Sequence, residues 1–237
     1  MTERKRGSVT FLDVLGWKGI ANRNKNAIST LLGMIKDSQN HITEILEKEI
    51  LGNGEGNVFK KLEVKLLSIS DTIVLITYGD PDPTLLFHGG ITAYIVSKSI
   101  QLGIPVRGAT GYGDFSIEEN ILEGPVVDEV ASWYEVTDWI GVIQLPSASL
   151  EVEDYTNYLI EIDEKKSKRD HVFISYPVPL KRAPKMKLLS SNWPYYIENI
   201  NELARDLKKL SPIYPEVAAK IINTLEYYKY VKSLKGD

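Results

Sequence analysis

Apolar residues alternate with polar ones in short runs and recur at helical spacing in longer ones. Val9 and Phe11, flanked by Ser8 and Thr10, predict a first strand over residues 8–13, with Leu12 leading into a turn. Ile28, Leu31, Leu32, Met34, Ile35, Ile42, Ile45 and Leu46 predict a helix over 26–50, with Asn26 as its cap. Turn formers from Gly52 to Asn57 end it. Residues 62–70 and 72–78 read as consecutive strands, so Asp71 lies at or beside a hairpin turn. A second helix over 84–102 is apolar around much of its circumference and ends at Gly103. Pro105–Phe115 is a Gly-rich strand with 117–122 as its partner, and Gly124-Pro125 opens a third helix through about Val136.

Further on, the pattern predicts a strand over 139–145, a short acidic helix over 147–157 and a strand over 171–178. Residues 181–192 are basic and interrupted by proline, and the basic part, 181–187, reads as a solvated loop. Two amphipathic helices, 197–210 and 216–233, close the chain. The fold class is α+β. The first six elements, β-α-β-β-α-β, match the split βαβ (ferredoxin-like) arrangement, an antiparallel sheet with helices on one face. Residues 1–145 form the core, and 146–237 read as an extension of the same domain whose amphipathic helices need a surface, a dimer contact included. In this topology Asp13, ending the first strand, and Asp71, at the hairpin, face each other. Two carboxylates that close repel unless a cation joins them. Amides of the turn after Asp13 point to the same place, which suits a phosphate. Each aspartate also fits an ordinary turn or cap, and only the pairing points to metal.

Composition narrows the chemistry. The 237 residues carry no cysteine, so thiolate metal sites, disulfides and thiol nucleophiles are excluded. Three scattered histidines, His41, His88 and His171, do not suggest an imidazole site, which leaves oxygen ligands and a hard ion such as Mg²⁺, Mn²⁺ or Ca²⁺. A net charge of −4 argues against a nucleic-acid grip but not against a single nucleotide. No apolar run is long enough to cross a bilayer and no signal-peptide core follows the polar N-terminus, so the expected location is the cytoplasm.

Four short motifs then carry a resemblance. Phe11-Leu12-Asp13-Val14-Leu15-Gly16-Trp17 is similar to the first metal motif of the class III nucleotide cyclase catalytic domain, and Ser70-Asp71-Thr72-Ile73-Val74-Leu75 to its second. Val106-Arg107-Gly108-Ala109-Thr110-Gly111-Tyr112-Gly113 resembles its Arg-Gly strand, and Gly124-Pro125-Val126-Val127-Asp128-Glu129-Val130-Ala131 its later helix. The resemblance covers roughly residues 7–145. It implies two Mg²⁺ or Mn²⁺ bridged by Asp13 and Asp71, with the Val14 carbonyl as a further ligand. It also implies attack of the ribose 3′-oxygen on the α-phosphate and release of pyrophosphate. Amides of Leu15, Gly16 and Trp17 would cradle phosphate, Lys18 would add a charge, and the working unit would be a head-to-tail homodimer.

The departures from that family are specific. Where purine cyclases place a base-reading Lys and Asp, this chain has Leu67 and Ile121, and the transition-state Asn and Arg fall on Asp128 and Ser132. The chain looks more like the pyrimidine cyclases of bacterial anti-phage (Pycsar) systems, which make cyclic UMP or cyclic CMP for a separate effector. Arg107 and Tyr112 are candidates for the replaced base or phosphate contacts, although Arg107 equally fits an ion pair with Asp114 or Glu118, and Tyr112 a packed strand aromatic. His88, on an apolar helix, reads as structural. A degenerate, nucleotide-binding signalling domain and a polymerase-like activity stand as the alternatives.

Overall fold

The computed structural model describes residues 4–18, 20, 24–47, 59–119, 121–152, 171–211 and 213–234. β1 (Lys5–Val14), α1 (Ala27–Glu47), β2 (Val64–Ile69), β3 (Thr72–Tyr78), α2 (Pro81–Gln101) and β4 (Val106–Glu118) follow the expected order. Their strands line up as β2-β3-β1-β4 with every neighbour antiparallel, which is the split βαβ sheet. The Gly-rich strand runs further than its sequence suggests. Glu119, at φ 52°, turns the chain, so the returning partner is only β5 (Ile121–Glu123), paired with Ser116–Glu118, and not 117–122.

The sheet continues beyond β4 through β6 (Gly141–Gln144), which is parallel to it, to β8 (Met186–Ser191) and β7 (Phe173–Val178). Residues 181–187 are exposed throughout, as expected of a solvated stretch, but the strand β8 begins inside it at Met186 and carries the chain inward from Leu188. The prolines stop at Pro184, leaving amides free to pair, and Leu188, Ser190 and Ser191 turn inward while Met186 and Lys187 stay exposed. The Ser190 hydroxyl donates to the Val142 carbonyl at 3.1 Å, which satisfies a buried polar side chain.

α3 (Pro125–Trp133) ends three residues before the expected Val136, and residues 146–152 are helical, while 153–157 lie outside the described residues. A 3₁₀ turn over Trp193–Tyr196 leads to α4 (Ile200–Leu207), which is shorter than the expected 197–210 and starts where the Asn199 side chain accepts the Glu202 N–H at 3.0 Å. A second 3₁₀ turn, Lys208–Leu210, and α5 (Pro215–Ser233) follow.

Alternation along β1 aims Ser8, Thr10 and Leu12 at one face and Val9, Phe11 and Asp13 at the other. The first face meets α2, where Thr10 and Ser8 reach His88 and Thr84. The second meets α3 and its end, where Phe11 packs edge-on against Tyr134. Gly111 permits that close approach, since a Cβ there would lie 2.8 Å from Val126 and 2.9 Å from Val130. α5 docks through aromatic rings. Tyr227 packs against Trp139, Tyr176 and Trp193, and its hydroxyl donates to the Ser191 carbonyl at 3.1 Å. Each such buried ring contributes about 2–3 kcal/mol of transfer free energy, enough to hold the C-terminal helix on the far end of the sheet.

Candidate active site

Asp13 ends β1 on the α3 face, and the β1–β4 register sets Arg107 directly opposite. Arg107 Nε and Nη2 both donate to Asp13 Oδ2, at 3.1 and 3.0 Å, and Nη1 donates to the Thr137 carbonyl at 3.0 Å. The guanidinium is only 5% exposed, so this is a largely desolvated ion pair. Asp71 arrives from the β2–β3 hairpin, whose turn is made by Ser70 at φ 59°. The Asp71 carbonyl accepts the Val14 N–H at 3.1 Å, which ties the hairpin to the end of β1. Both carboxylates therefore reach one sheet edge.

That edge opens into a cavity of about 360 Å³. Asp13, Asp71, Arg107 and the turn from Val14 to Lys18 line one side. The other side comes from the C-terminal region: Lys181 after β7, and Val217, Lys220 and Ile221 on α5, with Ile140 beneath. Four cationic side chains line the cavity beside two carboxylates, while Asp138, paired with Lys220, and Glu135, which acts on both Asp13 and Lys181, stand just behind them. Burial pushes the Asp13 carboxyl above its usual range. Arg107 pulls it back, Glu135 and Asp71 push the same way as burial, and burial wins. Lys181 moves down, first through burial and then through Arg107 and Lys220.

Among the described residues no three His or acidic side chains converge on a point, so nothing here is a closed, all-protein metal cage. Two carboxylates and the Val14 carbonyl are nonetheless the donor set that suits Mg²⁺ or Mn²⁺ carried in by phosphates, because such ions complete their shell with substrate oxygens and water. The residues fit the ion on donor chemistry.

No known protein family and no curated protein matches the sequence. Among solved structures, the catalytic core of a rhodopsin-guanylyl cyclase with converted specificity, in complex with ATPalphaS, superposes with a TM-score of 0.50 and 14% identity, over 80% of this chain and 97% of that one. The chain has the fold of a nucleotide cyclase catalytic core. An adenylate/guanylate cyclase/hydrolase from Silicibacter pomeroyi superposes with a TM-score of 0.42 and 13% identity, over 80% and 97%, too loosely to carry weight.

Within this cyclase fold the expected residues divide. Asp13, Val14, Leu15, Gly16, Trp17, Lys18, Asp71 and Arg107 all line the cavity. The amide cradle is reduced, however. The Leu15 N–H donates to the Pro105 carbonyl at 2.8 Å, and the Trp17 N–H back to the Val14 carbonyl at 3.3 Å, as the turn through Gly16 at φ 71° requires. Arg107 pairs with Asp13 and not with Asp114 or Glu118, because those lie seven and eleven positions along the same strand. Tyr112 is displaced from the expected site. It lies five residues along β4 from Arg107, about 17 Å away at strand spacing, where its hydroxyl donates to the Gly79 carbonyl at 3.1 Å and Arg6 covers its ring.

Asp128 and Ser132 sit exposed on α3 and do not line the cavity of their own chain, and the Ser132 hydroxyl folds back onto the Glu129 carbonyl. Leu67 on β2 and Ile121 on β5, the latter 72% exposed, also lie off it. The cavity residues that sequence reading passed over are Ile140, Lys181, Val217, Lys220 and Ile221. One signal was present for three of them: Val217, Lys220, Ile221 and Thr224 share one helix face, a cation set inside an apolar stripe. No helix among the described residues is long and apolar enough to cross a membrane.

Proposed function

We propose that the chain is a metal-dependent nucleotide cyclase that converts a nucleoside triphosphate to its 3′,5′-cyclic monophosphate and pyrophosphate. The observation that carries this reading is that Asp13 and Asp71 meet at one cavity, locked there by the bond from the Val14 N–H to the Asp71 carbonyl. Two Mg²⁺ or Mn²⁺, held by Asp13, Asp71 and the Val14 carbonyl, would supply activation of the 3′-oxygen and neutralisation of phosphate charge.

The chain's own side chains account for the rest. Arg107 orients Asp13 and opposes the burial that raises its pKa. Lys18 and Lys181 place positive charge at the rim for the triphosphate. Ile140, Val217 and Ile221 form a wall that keeps water from the bond-making atoms and presents a flat surface to ribose or base.

Within this reading the base is a pyrimidine, uridine ahead of cytidine. Leu67 and Ile121 stand where the purine-reading side chains of the resembled family stand, and the wall beside the carboxylates is apolar. Such a wall selects by size, worth only about 1–3 kcal/mol, so a smaller base is favoured without being strictly enforced. The cyclic nucleotide then acts as a second messenger in anti-phage defence, read by a separate effector. The working unit is a head-to-tail homodimer, in which the exposed Asp128 and Ser132 of one copy reach the site of the other.

The test is incubation with ATP, GTP, UTP and CTP separately, with Mn²⁺, and chromatography of the products. A cyclic pyrimidine monophosphate that disappears in Asp71→Ala is expected. Cyclic purine products would overturn the base assignment alone. Nucleotide binding without turnover would make the domain a nucleotide sensor, and linear dinucleotides a polymerase-like enzyme.

A further inference from the structure

Helix α5 is pinned to the stretch just before β6 by three polar contacts. Lys220 Nζ lies 3.1 Å from Asp138 Oδ1, Asn223 Nδ2 donates to the Asp138 carbonyl at 2.7 Å, and the Ile140 N–H donates to Thr224 Oγ1 at 3.0 Å. The same stretch takes the Arg107 bond on its Thr137 carbonyl. Residues 137–140 are thus gripped by the Asp13–Arg107 pair at one end and by the C-terminal helix at the other.

The cations around the cavity are not equivalent. Arg107 places two of its donors on Asp13 and a third on Thr137, which commits its fork. Lys220 pairs with Asp138 through a compact ammonium on a flexible stem, which can turn from one oxygen to another where a planar fork cannot. Its side chain is 16% exposed and that of Asp138 23%, so the pair is mostly out of water, and Lys220 is the member of it that lines the cavity. Val217 and Ile221, three positions before it and one after it on the same helix, line the same cavity.

We propose that Lys220 is a phosphate-binding residue of this cavity, and that Asp138 holds it over the opening as an exchangeable counter-ion. When a polyphosphate enters, the ammonium turns from Asp138 towards a phosphate oxygen, while the hydrogen bonds of Asn223 and Thr224 keep the helix in place. The anion-binding side of the pocket is then completed by the same chain's C-terminus. That this polyphosphate belongs to a nucleoside triphosphate rests on the cyclase reading; the anion site itself does not.

The experiment titrates inorganic tripolyphosphate, with Mg²⁺, into the full chain by calorimetry, alongside kinetics with whichever nucleotide is turned over. Lys220→Gln is expected to weaken tripolyphosphate binding about tenfold or more, the size of one lost charge-assisted contact, and to raise KM more than it lowers kcat. Lys220→Arg keeps binding within about threefold. Asn223→Ala, which loosens the same helix without removing charge, stays within about twofold of wild type. Asp138→Asn, which releases the ammonium, tightens binding.

Unchanged binding in Lys220→Gln overturns the proposal, and so does an equal loss in Asn223→Ala. Should Lys220→Gln fail to fold, Asp138→Asn decides: binding that is unchanged or weaker overturns it. A chain that makes no cyclic product yet loses tripolyphosphate binding in Lys220→Gln keeps the anion site and loses the cyclase reading. A working cyclase with normal KM in Lys220→Gln does the reverse.

Discussion

β1 carries a polar cluster on each face, and the two differ in one decisive respect. Towards α2, Thr10 Oγ1 bonds His88 Nδ1 and Thr110 Oγ1, each at 2.7 Å, and Thr77 Oγ1 bonds His88 Nε2 at 2.9 Å. His88 is fully buried, both ring nitrogens are satisfied, and burial brings its pKa down to about 3, so it stays neutral. Towards α3, Asp13 and Arg107 satisfy each other, but they and Asp71 open onto a cavity that Lys18, Lys181 and Lys220 also line. Burial of polar groups is common to both. Closure separates them: a completed, enclosed network holds the fold, while charged groups that open onto a cavity are placed to meet a ligand.

The sharpest way to break this contrast is Asp71→Asn. Turnover is expected to fall about a thousandfold or more, the scale of losing several kcal/mol of transition-state stabilisation, while the thermal midpoint moves only a few degrees. Product chromatography and a melting scan read the two effects. A variant that kept a tenth of its activity would erase the distinction between the clusters.

Next in size is His88→Ala on the other face. It leaves Thr77 and Thr10 short of a partner and opens a void, at a cost of about 3 kcal/mol in urea unfolding. The KM of the folded fraction is expected to stay as it is. A raised KM with unchanged stability would move His88 into the site.

Arg107→Lys tests whether the site needs a fork or only a charge. Two bonds to Asp13 and one to Thr137 shrink to a point contact, and a loss of about 1–2 kcal/mol is expected, shared between stability and KM. Full activity would show that charge alone suffices.

The gentlest probe is pH. His88 has its folded pKa below the ordinary 6.5, so the unfolded chain takes up a proton that the folded chain refuses. Its contribution is complete above pH 6.5 and declines on acidification by about 1.4 kcal/mol per unit until the folded value near 3 is approached. Asp13 works in the other direction: its folded pKa is raised, so acidification relieves a cost instead of adding one. Urea midpoints across pH 4–7, compared with those of His88→Gln, separate the two; a slope that survives the substitution would assign the acid sensitivity elsewhere.

Much of this was legible before any coordinates. The Asp13 and Asp71 positions followed from local signals: a strand ending at a Gly turn, and a hairpin between two apolar runs. Their meeting followed from the order of the first six elements, since a split βαβ sheet sets β3 beside β1. The partner of Arg107 was not legible, because the register that sets it opposite Asp13 comes from the pairing of two strands about a hundred residues apart, which neither fixes locally. Tyr112, by contrast, lies an odd five residues from Arg107, a spacing that already sets it on the other face of the strand and away from the site. The strand β8 was hidden by Lys185 and Lys187 and by serines that become buried only when β6 and β7 flank them.

By itself, then, the chain's alternation of periods and turn formers determined which segments are helix or strand, and put one carboxylate at the end of each of two neighbouring strands. The assembled fold alone decided what surrounds them. Lys181, Lys220 and the apolar wall reach the cavity across separations of more than a hundred residues, through docking of α5 on aromatic rings of distant strands. Periodicity reports that a helix face will be buried; only packing between whole elements determines which neighbour covers it, and so whether a lysine on that face meets water, an aspartate or a substrate.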